Sequence, residues 1–174
     1  LEGLNFVEES KRYYPNGNLA AQVLGFVGTD DKGLDGLEMV LDDELKGGIQ
    51  KELVATDRKG NAIFGSVLSK YLPDKGKSVT LTIDASIQFI AERALDKAME
   101  DTGAKHASVI VMDPKTGEIL AMANRPTYDP NHYSQGSEED FKNIAVTNLY
   151  EPGSTFKPII ASAALASGKW KLDQ

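Results

Sequence analysis

Cysteine is absent from this sequence of 174 residues, histidine is rare, and basic side chains are outnumbered by acidic ones. Without cysteine there is no thiolate metal site, no thiol catalysis and no disulfide, although such a chain folds in either redox compartment. The two histidines, His106 and His132, are too few and too far apart for a metal site. Lys and Arg number 19 against 26 Asp and Glu, which gives a net charge of −7. Since nucleic acids and anionic membranes are bound through basic faces, the charge argues against both as partners.

Long apolar stretches are absent as well. A membrane-spanning helix needs about 20 consecutive apolar residues, and no stretch of this sequence approaches that length. The first residues, LEGLNFVEESKRYYP, have neither the charged nor the apolar region of a signal peptide. We therefore expect no membrane segment in the chain as given. Its hydrophobic content of 41% is ordinary for a globular protein.

Short elements are predicted in the N-terminal part of the chain. The apolar run at 20–28 is typical of a strand closed by a glycine. Apolar residues at helical spacing over 37–45, followed by two glycines, predict a short amphipathic helix. Two candidate strands around a turn at 58–61 predict a hairpin. Polar turn residues at 73–77 then separate two patterned blocks, and we place a domain boundary there.

The second block has stronger patterns. The alternation over 78–83 predicts a strand, and Asp84 is a candidate N-cap for a helix that ends at Gly103. Two apolar strands follow around the turn sequence PKTG, and both are expected to be buried on both faces. The polar residues 125–140, with Tyr128 and Tyr133, favour an ordinary surface loop over a border of a cleft. Strands and helices in this order predict an α+β fold.

The segment EPGSTFKP, residues 151–158, contains a candidate nucleophile and base. A Pro-Gly turn places Ser154 at or next to the start of a helix, and Lys157 follows three residues later on the same face. A serine hydroxyl needs a nearby base, and the free N–H at a helix start can stabilise an oxyanion. The alternative is a helix cap beside a solvated lysine, since this tetrapeptide pattern occurs by chance about once in such a chain. The small residues after Pro158 predict a closely packed core helix.

Two further motifs precede this segment in the N-terminal block. The first is RYYP, which contains Arg12 and Pro15, and the second is GLDGLE, which contains Gly33, Gly36 and Glu38. The stretches SVTLTIDASIQ and VMDPKTGEILAMANRPTYDPN follow in the second block. In this order and spacing, the motifs resemble those of the class B penicillin-binding proteins along nearly the whole chain.

The resemblance implies a fold and an activity. Residues 1–75 would be a non-catalytic pedestal domain of the dimerisation type, and residues 76–174 the beginning of a transpeptidase domain like that of the penicillin-binding proteins and β-lactamases. The whole protein would be a D,D-transpeptidase that cross-links peptidoglycan stem peptides and is acylated by β-lactams. Ser154 would be the nucleophile and Lys157 the proton acceptor, without a metal or organic cofactor. The five motif residues of the pedestal would be structural, with an ion pair between Arg12 and Glu38.

The sequence also departs from the family pattern. Ser-x-Asn and Lys-Thr-Gly motifs do not follow Pro158, and we interpret the KTG at 115–117 as a turn. A membrane helix and an early motif are missing before the pedestal. We therefore expect an internal piece, truncated at both ends and inactive alone, of a protein anchored at the outer face of the bacterial cytoplasmic membrane.

Other functions remain open from the sequence. One is a non-catalytic interaction module of cell-wall synthesis, with other synthesis or division proteins as partners of the pedestal. Another is a serine hydrolase of the class D β-lactamase or β-lactam-sensor type, although such small enzymes do not need the pedestal motifs.

Overall fold

The computed structural model of the chain describes residues 11–47 and 76–171. Helices and a two-stranded sheet occur together, which confirms the α+β prediction. The predicted hairpin around 58–61 lies outside the described residues. Most of the boundary at 73–77 also lies outside them, and the division into two domains stays a prediction.

The N-terminal segment contains three short helices, α1 (Ala21–Leu24), α2 (Gly36–Val40) and α3 (Asp42–Leu45). The strand predicted at 20–28 is wrong, because four of its nine residues, Ala21–Leu24, form α1. A short apolar run does not distinguish a strand from a buried helical turn. At the end of the run, Val27 forms an isolated β-bridge with Gly33, and within the described residues this bridge does not extend into a β-ladder.

The helix predicted over 37–45 is interrupted. Leu41, with φ of −108°, separates α2 from α3. At the start of α3, Asp42 Oδ1 accepts a hydrogen bond from the backbone N–H of Gly33 at 2.8 Å. That bond and an ion pair with Lys46 lower the pKa of Asp42. This carboxylate thus fixes α3 against the turn that precedes α2.

Helix α4 (Ala85–Thr102) confirms the sequence prediction at both ends. Asp84 Oδ1 accepts hydrogen bonds from the backbone N–H groups of Ser86 and Ile87, at 2.8 and 2.9 Å. Gly103 ends the helix in the left-handed region, with φ of 64°. An acidic N-cap and a glycine after the last turn are the local signals that favour such ends.

Helix α4 packs against an antiparallel hairpin of β1 (Ala107–Met112) and β2 (Ile119–Arg125). Both strands are predicted correctly, as is the turn between them, where Gly117 has φ of 79°. Burial on both faces is wrong for β1, whose residues alternate between half-buried and exposed. The side chains on one face of β1 stay exposed, and Ile110 there is 43% exposed.

The strand predicted over 78–83 is also wrong. This segment runs beside β2, where the Thr82 hydroxyl donates to the carbonyl oxygen of Ile119 at 2.7 Å. The backbone N–H of Asp84 donates to Leu120 O at 2.9 Å. Alternation favours an extended backbone, but a strand also needs a row of ladder hydrogen bonds. The segment therefore enters α4 as an irregular edge of the sheet.

The loop predicted at 125–140 is more ordered and more buried than its polarity suggests. It contains a 3₁₀ helix, Pro130–Gln135, and leads into α5 (Glu138–Phe141). Tyr128 is only 6% exposed, so its assignment to an ordinary surface loop is wrong. Its partner Phe26 lies about 100 residues earlier, with ring centroids 5.8 Å apart. Local polarity cannot reveal a contact over this sequence separation.

The C-terminal part begins with α6 (Ile144–Thr147), which lies against the hairpin. A 3₁₀ helix, Gly153–Phe156, then leads directly into α7 (Lys157–Ala166). The prediction of a core helix is wrong for α7 within the described chain, because none of its residues is buried. None of the helices in the ranges 11–47 and 76–171 is long and apolar enough to span a membrane.

Candidate functional site

The backbone before α7 places Ser154 in a tight turn. Gly153 has φ of 55°, in the left-handed region that glycine adopts without strain. The backbone N–H of Thr155 donates to Pro152 O at 3.1 Å, and the Thr155 hydroxyl donates to the same oxygen. The backbone N–H of Lys157 donates to Ser154 O. Ser154 thus lies in the turn before the helix, where the sequence predicts it.

Lys157 is the first residue of α7, and Pro158 follows in the first turn. Proline is tolerated there because the first N–H groups of a helix have no partner within it. Both Ser154 and Lys157 are exposed. Within residues 11–47 and 76–171, neither side chain has a hydrogen bond or an ion pair. The local backbone of the Ser-x-x-Lys pair is therefore formed without a surrounding cavity.

The described residues do not form an apolar wall around this segment. Ile159 and Ile160 are 57% and 58% exposed, and Phe156 is 45% exposed. A helix with a mostly apolar surface is normally covered by other elements. The exposed apolar surface of α7 therefore requires cover that residues 11–47 and 76–171 do not provide.

The predicted ion pair of the N-terminal motifs is present. Arg12 Nε lies 2.8 Å from Glu38 Oε1, and Arg12 Nη2 lies 2.8 Å from Glu38 Oε2. This two-point contact raises the pKa of Arg12. The pKa of Tyr14, which lies beside the pair, is raised mainly by burial and secondly by the charge of Glu38. The ion pair joins the chain before α1 to α2, as expected for a structural motif.

The other three motif residues lie at turns near this pair. A Cβ on Gly33 would lie 2.0 Å from Glu38 O, and a Cβ on Gly36 would lie 2.6 Å from Gly25 N. Both glycines therefore permit close backbone contacts. Exposed Pro15 occupies the second position of a turn in which the Gly17 N–H donates to Tyr14 O at 3.1 Å. Four of the five motif residues thus meet around α2, and Pro15 lies in the preceding turn.

The histidines show no metal-binding arrangement. His132 Nδ1 lies 2.9 Å from Asp129 Oδ2, a contact that lowers the pKa of Asp129. In the part of the chain that the structure describes, no group of three or more His, Asp or Glu residues is arranged to hold a metal ion.

Sequence reasoning missed a set of buried polar residues between the N-terminal segment and the hairpin. Glu92 Oε1 accepts hydrogen bonds from the Ala20 N–H and from Gln88 Nε2, each at 2.8 Å. Its Oε2 lies 3.4 Å from Nη2 of Arg125. The available signal was the spacing of Gln88 and Glu92, four residues apart beside the apolar positions of α4.

Two further side chains form hydrogen bonds between the N-terminal segment and the 125–140 region, Asn131 from that region and Gln22 from α1. Asn131 Oδ1 accepts from the Tyr14 N–H, and its Nδ2 donates to Tyr14 O, both at 2.9 Å. Gln22 Nε2 donates to the carbonyl oxygens of Pro126 and Asp140, each at 2.9 Å. These bonds join residues 11–28 to the loop, and no local sequence pattern points to them.

Comparison with known proteins assigns the family. Residues 1–81 match the penicillin-binding protein dimerisation domain, and residues 107–174 match the penicillin-binding protein transpeptidase domain. The chain belongs to the penicillin-binding proteins that carry both domains, which confirms the resemblance drawn from its motifs.

Relatives agree along the whole chain. It is 45% identical over 176 residues to the probable peptidoglycan D,D-transpeptidase PenA of Neisseria gonorrhoeae, an alignment that covers 100% of this chain and 30% of that protein. It is 37% identical to the peptidoglycan D,D-transpeptidase FtsI of Escherichia coli K12, with 97% of this chain and 28% of the relative covered. The chain thus spans about 30% of the length of these relatives.

A solved structure has the same fold. The crystal structure of penicillin-binding protein 3 from Mycobacterium tuberculosis, complexed with aztreonam, matches with a TM-score of 0.70 and 36% identity. The match covers 91% of this chain and 32% of that protein.

Proposed function

We propose that the protein containing this chain is a peptidoglycan D,D-transpeptidase whose nucleophile is Ser154. The observation that carries the proposal is the turn Gly153–Phe156, which places Ser154 three residues before Lys157, the first residue of α7. Two matched family domains and relatives named as D,D-transpeptidases support it. The match of residues 1–81 to a dimerisation domain favours this activity over a small β-lactamase or sensor.

The reaction proceeds through an acyl-enzyme. The Ser154 Oγ attacks the carbonyl carbon of the penultimate D-Ala of a stem peptide and loses its proton to a base. The ester bond forms as the peptide bond to the terminal D-Ala breaks, and D-Ala leaves as the free amine after receiving a proton. The amine of a neighbouring stem peptide then attacks the ester, so that a new peptide bond forms and Ser154 regains its proton.

Lys157 is the proposed proton acceptor. Its place at the start of α7 puts its side chain on the same helical face as position 154. A lysine acts as a base only in its neutral form, which a desolvated site favours. We propose that the residues which cover α7 in the whole protein create that environment. Which group serves as base has been disputed for this motif class, so the role of Lys157 needs its own test.

The chain of residues 1–174 alone is proposed not to acylate at a useful rate. Oxyanion stabilisation depends on donors held in place before the reaction. Ser154 and Lys157 are instead exposed, and α7 has no buried residue. Mass spectrometry of this chain after incubation with a penicillin should show no stoichiometric adduct. A full adduct on Ser154 would overturn this part of the proposal.

The test of the main proposal uses the full-length protein and a fluorescent penicillin. We expect one covalent label per molecule, located on Ser154 by peptide mapping, and its loss in Ser154→Ala. Lys157→Ala should abolish labelling while leaving the protein folded. Lys97→Ala is the matched control for the lysine change, because this exposed lysine pairs with Asp101 on α4, away from the Ser154 segment, and should not affect labelling.

Two results would contradict the proposal. Labelling that survives Ser154→Ala would overturn the role of Ser154. Unchanged labelling in Lys157→Ala would move the proton-acceptor role to another residue and leave that of Ser154 intact.

Location and partners follow from the same proposal. The substrates would be peptidoglycan stem peptides, with β-lactams as mimics that acylate Ser154. Because these peptides lie outside the cytoplasmic membrane, the catalytic part would act on that side, anchored by a helix outside this chain. We also propose that the N-terminal domain contacts other proteins of cell-wall synthesis or division, since exposed Met39 and Val40 on α2 offer an apolar surface.

A further inference from the structure

One side chain provides most of the polar connection between the C-terminal part of the described chain and the rest. Asn124, on β2, donates from Nδ2 to Asn143 Oδ1 at 2.9 Å. Its Oδ1 accepts from the backbone N–H of Ala145 at 3.0 Å. Asn143 Nδ2 also approaches Met122 Sδ at 3.2 Å. Among residues 11–47 and 76–171, these are the hydrogen bonds that join residues 143–171 to earlier parts of the chain, apart from the local bond of the Ile144 N–H to Lys142 O.

Asn124 caps α6 from a different element. The first N–H groups of a helix need acceptors, and a side chain at the N-cap usually supplies one. Asn143 occupies the N-cap of α6, but its side chain makes no capping hydrogen bond. Ala145 is the second residue of α6, and its N–H is satisfied by Asn124 instead. The strand therefore provides the cap that the helix lacks.

The position of Asn124 is itself rigid. Its side chain is among the largest that are fully buried, at 1% exposure for the residue. Next to it, Arg125 pairs with Asp96, and Gln88 hydrogen-bonds both the N–H and the carbonyl oxygen of Met122. Burial and these ties hold the amide in place, so it defines where α6 begins.

Within the described ranges, the stretch after α6 has no comparable support. Residues 148–152 are exposed, and the turn at Ser154 is closed by hydrogen bonds within its own segment. Helix α6 is therefore the last element before Ser154 that hydrogen bonds hold to the sheet.

We propose that Asn124 is a positioning residue, which fixes α6 and through it the chain that presents Ser154. The inference rests on the proposed function, because it assigns the residue to that same site. A loss of this anchor displaces the segment, and a displacement of about 1 Å can lower a rate about 100-fold. We expect Asn124→Ala to slow acylation of Ser154 at least about tenfold.

The experiment measures acylation of the full-length protein by a fluorescent penicillin. Stopped-flow traces separate the dissociation constant of the initial complex from the acylation rate constant. Asn124→Ala should lower the acylation rate constant and leave the dissociation constant nearly unchanged. Asn131→Ala is the matched control, because it loses two hydrogen bonds to Tyr14 and one to Asp129, and none to residues 143–145.

Two further variants separate positioning from general stability. Asn124→Asp retains an acceptor for the Ala145 N–H, and a flip of the Asn143 amide restores the second bond, so this variant should recover most of the rate. Asn143→Ala removes the partner without changing the buried strand, and it should also slow acylation. It serves as the test if Asn124→Ala does not fold. All rates are compared below the unfolding temperature of the least stable variant.

The outcomes are distinct. A slower acylation step in Asn124→Ala and Asn143→Ala but not in Asn131→Ala supports the inference. Equal slowing in Asn124→Ala and Asn131→Ala, or unchanged acylation in Asn143→Ala, overturns the inference. The proposed function still holds in that case, provided that the unchanged protein is labelled on Ser154. If the unchanged protein shows no label that depends on Ser154, the proposed function fails and the inference fails with it.

Discussion

At the scale of single residues, this protein relies on buried polar side chains that have fixed partners. Gln88 and Asn124 are fully buried, and Glu92 is 6% exposed. Each makes hydrogen bonds to side chains and to the backbone of another element. A buried polar group left without a partner costs about 1–3 kcal/mol. Such residues therefore hold the elements in one arrangement.

Glu92 gives the strongest prediction of this kind. Glu92→Ala leaves the Ala20 N–H without its acceptor and removes a charge beside Arg125. Because Arg125 keeps its pair with Asp96, the main cost is the buried Ala20 N–H left without an acceptor, which is about 1–3 kcal/mol. We expect a loss of this order in the free energy of unfolding, measured with urea. Glu92→Gln keeps an acceptor and should lose less.

The control for Glu92 is an exposed pair on the same helix. Lys97 Nζ lies 2.9 Å from Asp101 Oδ2, and both side chains are more than half exposed. Lys97→Ala should change the free energy of unfolding by less than about 1 kcal/mol. A loss as large as that of Glu92→Ala would contradict the interpretation that burial sets the difference.

Asp96 predicts a dependence on pH. Hydrogen bonds from Arg125 lower the pKa of Asp96 in the folded protein. A carboxyl group with a lowered pKa adds stability that is complete above its unfolded pKa of about 4 and is lost as pH falls through the folded pKa. Because the Asp96 side chain is 57% exposed, the contribution is small.

The measurement compares the unchanged protein with Asp96→Asn. The difference in their free energies of unfolding should be constant between about pH 5.5 and 7 and should shrink as pH falls below about 4. A difference that grows toward acid would contradict this assignment.

At the scale of elements, the sequence predicts what local signals determine. Asp84, the apolar period and Gly103 define α4, and two apolar runs around PKTG define the hairpin. Neither the helical form of residues 21–24 nor the burial of Tyr128 follows from local signals, because both depend on contacts about 100 residues apart in sequence. Asn124 was missed for the same reason, because its partners are at the start of α6, and so was the bond of Glu92 to the Ala20 N–H.

The ends of α4 provide a prediction at this scale. Asp84→Ala removes the acceptor for the N–H groups of Ser86 and Ile87 and should lower the free energy of unfolding by about 1 kcal/mol. Asp84→Asn retains a capping oxygen and should cost much less. Thermal unfolding followed by circular dichroism measures both variants. Equal losses for the two would show that the negative charge, and not the cap, stabilises the helix.

At the scale of the whole molecule, the N-terminal segment packs on the part of the chain that leads to Ser154. Phe26 stacks on Tyr133 with ring centroids 4.6 Å apart, and its ring centroid lies 4.9 Å from that of Phe141. The Tyr128 hydroxyl donates to Ala21 O at 3.1 Å. Apolar and polar contacts thus coincide at one junction, where the burial of Phe26 depends on residues from both segments.

Phe26→Ala tests whether the two segments stabilise each other. The variant removes the ring that contacts Tyr128, Tyr133 and Phe141, and truncation of a buried phenylalanine costs about 3–5 kcal/mol. Since residues 126–141 contribute three of the four rings, we expect faster hydrogen exchange over this range as well as around residue 26. Tyr13→Ala is the control, because Tyr13 is 71% exposed and should change neither quantity. Faster exchange confined to residues 20–28 would show that the loop keeps its structure without the N-terminal segment.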